Sequence, residues 1–307
     1  MSGTDTVRGD AGAMPPLVST GWLAERIGAP ELGAPELGAP ELVVLDASYF
    51  LPAEERDARV EFAQARLPGA RFFDIEAIAD TETALPHMVP SAGRFARMVG
   101  ALGVSDDSRV VFYDAKGLFS AARGWWLMRL FGHDAVAVLD GGLPKWRAEG
   151  RAIETGPARP AEPGRFTPTL RARLLRGTGD MLDNLASGEA LVLDARSAGR
   201  FSGSAPEPRA GMAGGHIPGA RSLPYTELLA ADQTMLAPDA LRARLAAAGV
   251  DAGRPVVTSC GTGVTAAVVS LALTVAGLPP GALYDGSWTE WAQRPDTPKE
   301  LGAGDGA

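Results

Sequence analysis

The chain has one cysteine, Cys260, inside the stretch VVTSCGTGVTAAVVS (256–270). A β-branched run leads into it, Gly261 and Gly263 follow, and a small apolar segment with helical character comes next. The pattern reads as strand, tight turn, helix. The first amides of a helix have no acceptor within it and point back at the turn. Two glycines let that turn curl until several amides face one point. Such a cradle favours an anion at its centre: a thiolate, or a persulfide Cys–S–S⁻ reaching further in. Packing is the ordinary fate of a lone cysteine, but a Gly-Thr-Gly turn between strand and helix argues for chemistry. Phosphate chemistry is disfavoured. A Gly-Lys-Ser/Thr phosphate loop needs a lysine that is absent here. A thiol phosphatase needs an arginine at the position held by Ala266 to grip phosphate with two hydrogen bonds.

The elements that must carry this turn occur twice. The first half contains VVLDAS (43–48), LPGA (67–70), RVVFYDAKGLFSA (109–121) and VAVLDGGLPKW (136–146). The second contains LVLDAR (191–196), IPGA (217–220), RPVVTSCGTGVTA (254–266) and ALYDGSWTEW (282–291), in the same order and offset by about 150 residues. This is a tandem duplication of one domain. RAIETGPARPAEPGRFTPTL (151–170) lies between the halves, rich in Pro and Gly and without apolar periodicity, and reads as a linker. GAPELGAPELGAPEL (28–42), three copies of a pentapeptide, reads as an expanded surface loop. VVLDAS, RVVFYD and VAVLDGG read as buried strands. RFARMVGALGV (94–104), AARGWWLMRLFG (121–132) and ALRARLAAAGV (240–250) read as helices. Buried strands alternating with helices give a parallel sheet covered on both faces, with ligands beyond the carboxyl ends of the strands. Cys260 stands at such an end. In the first half Asp114 takes its place, and a carboxylate is a poor sulfur nucleophile; that domain is expected to be catalytically silent and to form one wall of a cleft.

Composition narrows the classes. The chain has 307 residues, enough for two domains, with 46% hydrophobic and 21% charged residues, as a soluble protein with full cores has. Its net charge of −8 argues against a nucleic-acid partner. A single cysteine makes no internal disulfide, so nothing points to an oxidising compartment. MSGTDTVRGDAGAMPP lacks the basic and then apolar runs of a signal peptide, and no apolar stretch is long enough for a membrane span. A cytoplasmic protein is expected. Three scattered histidines and no second cysteine leave no ligand set for a metal.

With these marks the sequence resembles the tandem-domain sulfurtransferases of the rhodanese superfamily, from about Val18 to Gln293. The loop Cys260-Gly261-Thr262-Gly263-Val264-Thr265-Ala266 is similar to the Cys-Gly-Ser-Gly-Val-Thr-Ala loop of members that use 3-mercaptopyruvate. Members that use thiosulfate carry Cys-Arg-Lys-Gly-Val-Thr-Ala. GHIPGA (215–220) and YDGSWTEW (284–291) match further signatures of the family. The resemblance implies an α/β fold of two tandem rhodanese-like domains, each a parallel sheet flanked by helices. It implies a silent domain over 17–150, a linker over 151–172 and a catalytic domain over 173–300.

It also implies roles. Cys260 is the nucleophile. Arg200 and Arg209, in GRFSGSAPEPR (199–209), hold the carboxylate and ketone of the donor. The backbone of Gly261, Gly263, Val264 and Thr265 stabilises the persulfide. Thr262 stands for the family's serine and Glu76, in FDIE (73–76), for its aspartate, as a proton relay. His87, in PHMVP (86–90), matches a histidine near the site, with a structural and a proton-handling role both open. His216 fixes a turn whose first-half counterpart begins at Arg66. The expected activity moves sulfur from 3-mercaptopyruvate through a Cys260 persulfide to a small thiol, a protein thiol such as thioredoxin, or cyanide. It releases pyruvate and uses no cofactor. Uncharged Gly261 and Thr262 favour a monocarboxylate donor over the thiosulfate dianion. Two other readings stay open: a thiosulfate:cyanide sulfurtransferase, and a non-enzymatic sulfur carrier loaded by another protein.

Overall fold

The computed structural model describes residues 14–27, 41–209, 211–251 and 253–304. Most of the GAPEL repeat, 28–42, lies outside them. The first half contains β1 (Leu17–Val18), α1 (Thr20–Ile27), β2 (Leu42–Asp46), α2 (Ala58–Gln64), β3 (Arg71–Phe72), α3 (Ile75–Ile78), α4 (Ala92–Ala101), β4 (Arg109–Tyr113), α5 (Ala121–Leu130), β5 (Val136–Leu139) and α6 (Gly142–Ala148). The second contains β6 (Leu175–Arg176), α7 (Thr178–Ser187), β7 (Leu191–Asp194), α8 (Ala198–Ser202), β8 (Arg221–Ser222), α9 (Pro238–Ala247), β9 (Val256–Ser259), α10 (Ala266–Val275), β10 (Ala282–Tyr284) and α11 (Ser287–Gln293).

Each half builds one five-stranded, wholly parallel sheet. The orders are β1-β5-β4-β2-β3 and β6-β10-β9-β7-β8, the same topology twice. The registers also correspond, with Val44 beside Val111 in one central pair and Val192 beside Val257 in the other. Even the turn bridges repeat: Arg66 pairs with Glu154, and His216 with Glu300. His216 is fully buried, stacks on Phe201 at 3.8 Å and contacts its carbonyl through Nδ1 at 3.0 Å, so it secures a turn.

The helices follow the expected segments with shifted ends. α4 starts at Ala92, not 94, because Ser91 caps it by accepting from the Arg94 amide. α9 starts at Pro238, where a missing N–H costs nothing, and the chain turns out of it through Gly249 at φ 90°. The two-residue strands β1, β3, β6 and β8 are too short to show a hydrophobic period.

The halves share a centre. α5 packs on α10, and residues 266–273 of α10 are all buried, as a helix without a polar face requires. One core cluster joins Phe112 and Trp125 of the first half to Leu193, Leu271 and Leu283 of the second. Separate clusters, around Trp146 and around Trp291, cover the outer face of each sheet. The two strand-to-helix turns, at Asp114 and at Cys260, thus begin the two helices that meet at the domain interface.

One equivalent pair differs in charge. Asp194 ends β7 and is gripped by the Arg196 fork at 2.6 Å and 3.1 Å. Asp46, its counterpart at the end of β2, has no such cation; the Ser48 amide donates to it at 2.8 Å. Burial pushes the Asp46 carboxyl up to about 6, against the hydrogen bonds from Ser48. Between about pH 4 and pH 6 the folded chain keeps a proton that the unfolded chain releases, so this residue's contribution to stability falls as pH rises. Asp46→Asn keeps an oxygen for the Ser48 amide and removes the charge. It should stabilise the fold by up to about 3 kcal/mol at pH 7.5 and by only about 1 kcal/mol at pH 4.5, as melting at both pH values would show. An equal effect at the two would contradict this account.

Candidate active site

Cys260 follows the last residue of β9 and is 2% exposed, at the inner end of the turn against the central core. Its amide donates to Ser287 Oγ at 3.2 Å, and that hydroxyl donates to the Tyr284 carbonyl at 2.8 Å. The carbonyls of Cys260 and Gly261 accept from the amides of Trp288 and Thr289, at 3.0 Å and 2.9 Å. The start of α11 therefore holds two turn carbonyls outward. Gly263 stands at φ 76°, left-handed backbone that glycine adopts without a Cβ clash, and its carbonyl accepts from Arg123 Nη1 at 3.4 Å. With the carbonyls so engaged, none of the amides of Gly261, Thr262, Gly263, Val264 or Thr265 donates to another protein group among the described residues. Val264 is buried and Thr265 is the N-cap of α10.

The corresponding turn of the first half shows a group that accepts from such amides. Asp114 Oδ2 takes three of them, from Phe119, Ser120 and Ala121, at 2.8, 2.9 and 2.9 Å; Oδ1 takes the Lys116 amide at 2.9 Å. The first-half turn is an anion cradle filled by its own carboxylate. Oδ2 is three bonds from the backbone Cα, and so is the outer sulfur of a cysteine persulfide.

Around the thiol turn stand side chains from both halves. Thr262 Oγ1 lies 2.9 Å from His87 Nδ1, a contact across 175 residues. His87 is 4% exposed and has φ 61°; its ring meets Tyr49 edge-on at 4.7 Å, and its Nε2 is buried without a partner. Burial first, then the charges of Arg123 and Arg209, push its imidazole down to about 3. Arg200 is fixed by Glu207, with Nη2 2.6 Å from Oε2 and Nε 3.2 Å from each oxygen. Glu207 also accepts from the fully buried Arg196 at 2.7 Å. A Cβ built on Gly261 would lie 3.0 Å from Arg200 Nη2, so the glycine makes room for this guanidinium at the turn. Arg209 is half-buried, and its charge acts on both Tyr49 and His87.

Cys260, Thr262, Arg200, Arg209 and His87 thus converge. Glu76 does not join Thr262. It is exposed at the start of α3, its amide donates to Asp74 Oδ1, and its charge bears on Tyr49. The hydroxyl's partner among the described residues is His87. Sequence reading also missed Arg123, Asp285, Glu207 and Tyr49. Asp285 and Glu207 sit within the quoted motifs YDGSW and PEPR, but nothing in a motif shows what a side chain reaches. A depression of ≈ 360 Å³, lined by Tyr49, Arg56, Arg59 and Glu76 among others, adjoins the site on the first-half side. A larger one, ≈ 440 Å³, lies at the amino ends of β9 and β10, away from the thiol.

Fold and site define a tandem α/β protein with one thiol turn and one carboxylate-filled copy. A rhodanese-like domain model matches residues 30–149 and again 178–294. The 3-mercaptopyruvate sulfurtransferase of Rattus norvegicus is 42% identical over 280 residues, 91% of this chain and 92% of that protein. The thiosulfate sulfurtransferase of Bos taurus is 43% identical over 293 residues, 94% of this chain and 96% of that one. The crystal structure of SseA from Escherichia coli, titled as a 3-mercaptopyruvate sulfotransferase, superposes with TM-score 0.78 at 38% identity, covering 90% of this chain and 99% of SseA. The chain belongs to the rhodanese family, and it is a sulfurtransferase. No helix of the described residues is long and apolar enough to cross a membrane.

The burial of His87 has a direct consequence. Its ring should stay neutral from about pH 5 to pH 8, giving nitrogen chemical shifts without an inflection across that range. An inflection near pH 6.5, the free imidazole value, would contradict the packing described.

Proposed function

We propose that the chain transfers sulfur from 3-mercaptopyruvate to a thiol through a persulfide on Cys260. The observation that carries this reading is the pair of turns: five amides beside Cys260 without protein acceptors among the described residues, and in the first-half turn four amides closed on the Asp114 carboxylate. A turn that surrounds an anion, with a sulfur nucleophile at its inner end, suits an anionic Cys–S–S⁻ reaching out among the amides.

Arg200 and Arg209 hold the carboxylate and ketone of the donor, each by the paired N–H donors that suit planar anions. The Cys260 thiolate attacks the donor sulfur. A new S–S bond forms as the C–S bond breaks, and its electron pair passes into the adjacent ketone to give the enolate of pyruvate. The proton carried by the donor thiol ends on the enolate carbon. Thr262, hydrogen-bonded to the neutral His87, handles it on the way, with Glu76 standing further out. Pyruvate leaves and Cys–S–S⁻ remains in the turn. An acceptor thiolate then attacks the outer sulfur, and the S–S electron pair returns to Cys260. The acceptor is a small thiol or a protein thiol such as thioredoxin, and a reducing compartment such as the cytoplasm keeps both thiols available.

The choice of donor rests on position 261. An arginine there, as in the thiosulfate-type loop, would compete with Arg200 for the same space and add a like charge beside it. With Gly261 and Thr262 the turn carries no charge for a dianion, and Arg200 stays at the donor. The thiosulfate reading draws its support from the bovine relative's name.

Side-by-side kinetics test this. kcat/KM for 3-mercaptopyruvate should exceed that for thiosulfate by at least about tenfold, with parallel-line ping-pong patterns; the reverse order would overturn the donor assignment. Replacing Gly261 with Arg and Thr262 with Lys together should shift preference toward thiosulfate. Arg200→Gln combined with Arg209→Gln should raise KM for 3-mercaptopyruvate by about tenfold or more, each lost charged hydrogen bond being worth about 1.5–3 kcal/mol. An unchanged KM would remove both from the donor site.

A further inference from the structure

The first half contributes one fully buried cation to the domain interface, Arg123 on α5. Its guanidinium donates three ways. Nη2 reaches the His87 carbonyl at 2.6 Å and Asp285 Oδ1 at 2.7 Å, and Nη1 reaches the Gly263 carbonyl at 3.4 Å. Asp285, in the second half, completes the joint by accepting the Val89 amide through Oδ2 at 2.6 Å. The ring of Trp126 lies under the guanidinium at 4.7 Å. One fork therefore ties the segment around His87 to the turn that carries Cys260.

The connection has a geometric cost. His87 holds φ 61°, a left-handed conformation that a non-glycine residue keeps only where its surroundings over-determine it. Arg123 on the His87 carbonyl and Asp285 on the amide two residues later supply that restraint. With the backbone so turned, Nδ1 meets Thr262 Oγ1 at 2.9 Å. At the other end of the fork the Gly263 carbonyl is held outward, which leaves the neighbouring amides facing the turn's interior. Arg123 also adds to the field that keeps His87 neutral.

We infer that Arg123, paired with Asp285, is the positioning residue through which the thiol-free domain sets the Cys260 turn and the Thr262–His87 hydrogen bond. This deepens the sulfur-transfer reading and rests on it. Arg123 bonds to backbone carbonyls and Asp285, apart from the two arginines assigned to the donor. Its loss should act on the chemical step and leave donor binding nearly untouched. The companion domain, on this view, orients the reacting turn as well as walling the cleft.

Two variants test the inference. Arg123→Lys keeps a cation opposite Asp285, but a single ammonium lacks the fork that spans the His87 and Gly263 carbonyls. The combined change Arg123→Met with Asp285→Asn removes the buried pair together, which folds more readily than removal of one partner, and keeps an oxygen for the Val89 amide. Each is compared with the wild-type chain for kcat, KM, melting temperature and titratable thiol per chain.

In whichever variant folds, kcat per titratable thiol should fall by about 10- to 100-fold, as displacement of a reacting group does, with KM for 3-mercaptopyruvate changed less than about threefold. A folded variant with a lowered melting temperature but kcat within about threefold of wild type would show that Arg123 only cements the domains, and would overturn the inference. So would a KM effect as large as the kcat effect. The wild-type control separates the two proposals: if wild type releases no pyruvate from 3-mercaptopyruvate, the donor reading fails first.

Discussion

A helix that starts one turn after a buried strand leaves several amides pointing at a single spot, and something must accept them. This requirement governs both halves of the molecule. In the first half the acceptor is built in, the Asp114 carboxylate, which takes four amides and closes the turn. In the second half the position belongs to a thiol, too short and too weak an acceptor to do the same. The amides of residues 261–265 donate to no protein group among the described residues, and the anion proposed for them lies one sulfur further from the backbone. One duplicated fold thus holds two such turns, and the one closed on a carboxylate is the template for the anion proposed at the other.

The surroundings keep the open turn in shape. α11 pins the Cys260 and Gly261 carbonyls, and the Arg123 fork pins that of Gly263. Burial of α5 and α10 against each other brings the first half close enough to contribute. Arg200 is kept at the turn by Glu207, whose second oxygen is occupied by the fully buried Arg196. Arg196 in turn grips Asp194 and lies over Trp288 at 4.4 Å. Arg200, proposed to hold the donor, is thus the outer end of a chain of charges anchored in the core of its own domain.

Much of this was legible in the sequence. The repeated LDA, PGA and YD marks identified the duplication, because buried parallel strands and the turns after them tolerate few residue types. Cys260 and Asp114 stand out for the same reason, each at a strand-to-helix turn, whereas Arg200 and Arg209 come only from the resemblance to the family. The cross-domain contacts were not legible. His87 and Thr262 are 175 residues apart, and their meeting depends on a left-handed backbone at a histidine, which no propensity announces. Arg123 is one cation among the aromatic residues of α5, and its partner Asp285 is 162 residues away. Glu76, taken as the relay partner of Thr262, faces solvent instead. Position in a motif fixes where a residue starts; its reach depends on the other half of the chain.

The central claim, that the Cys260 turn holds an anionic outer sulfur, is tested most directly by intact-protein mass spectrometry after exposure to 3-mercaptopyruvate and removal of excess donor. The account predicts a mass increase of one sulfur atom per chain, stable on desalting, located on the peptide containing Cys260 and released by added thiol. An unchanged mass while pyruvate accumulates without an acceptor, or added sulfur that persists in Cys260→Ser, would contradict it.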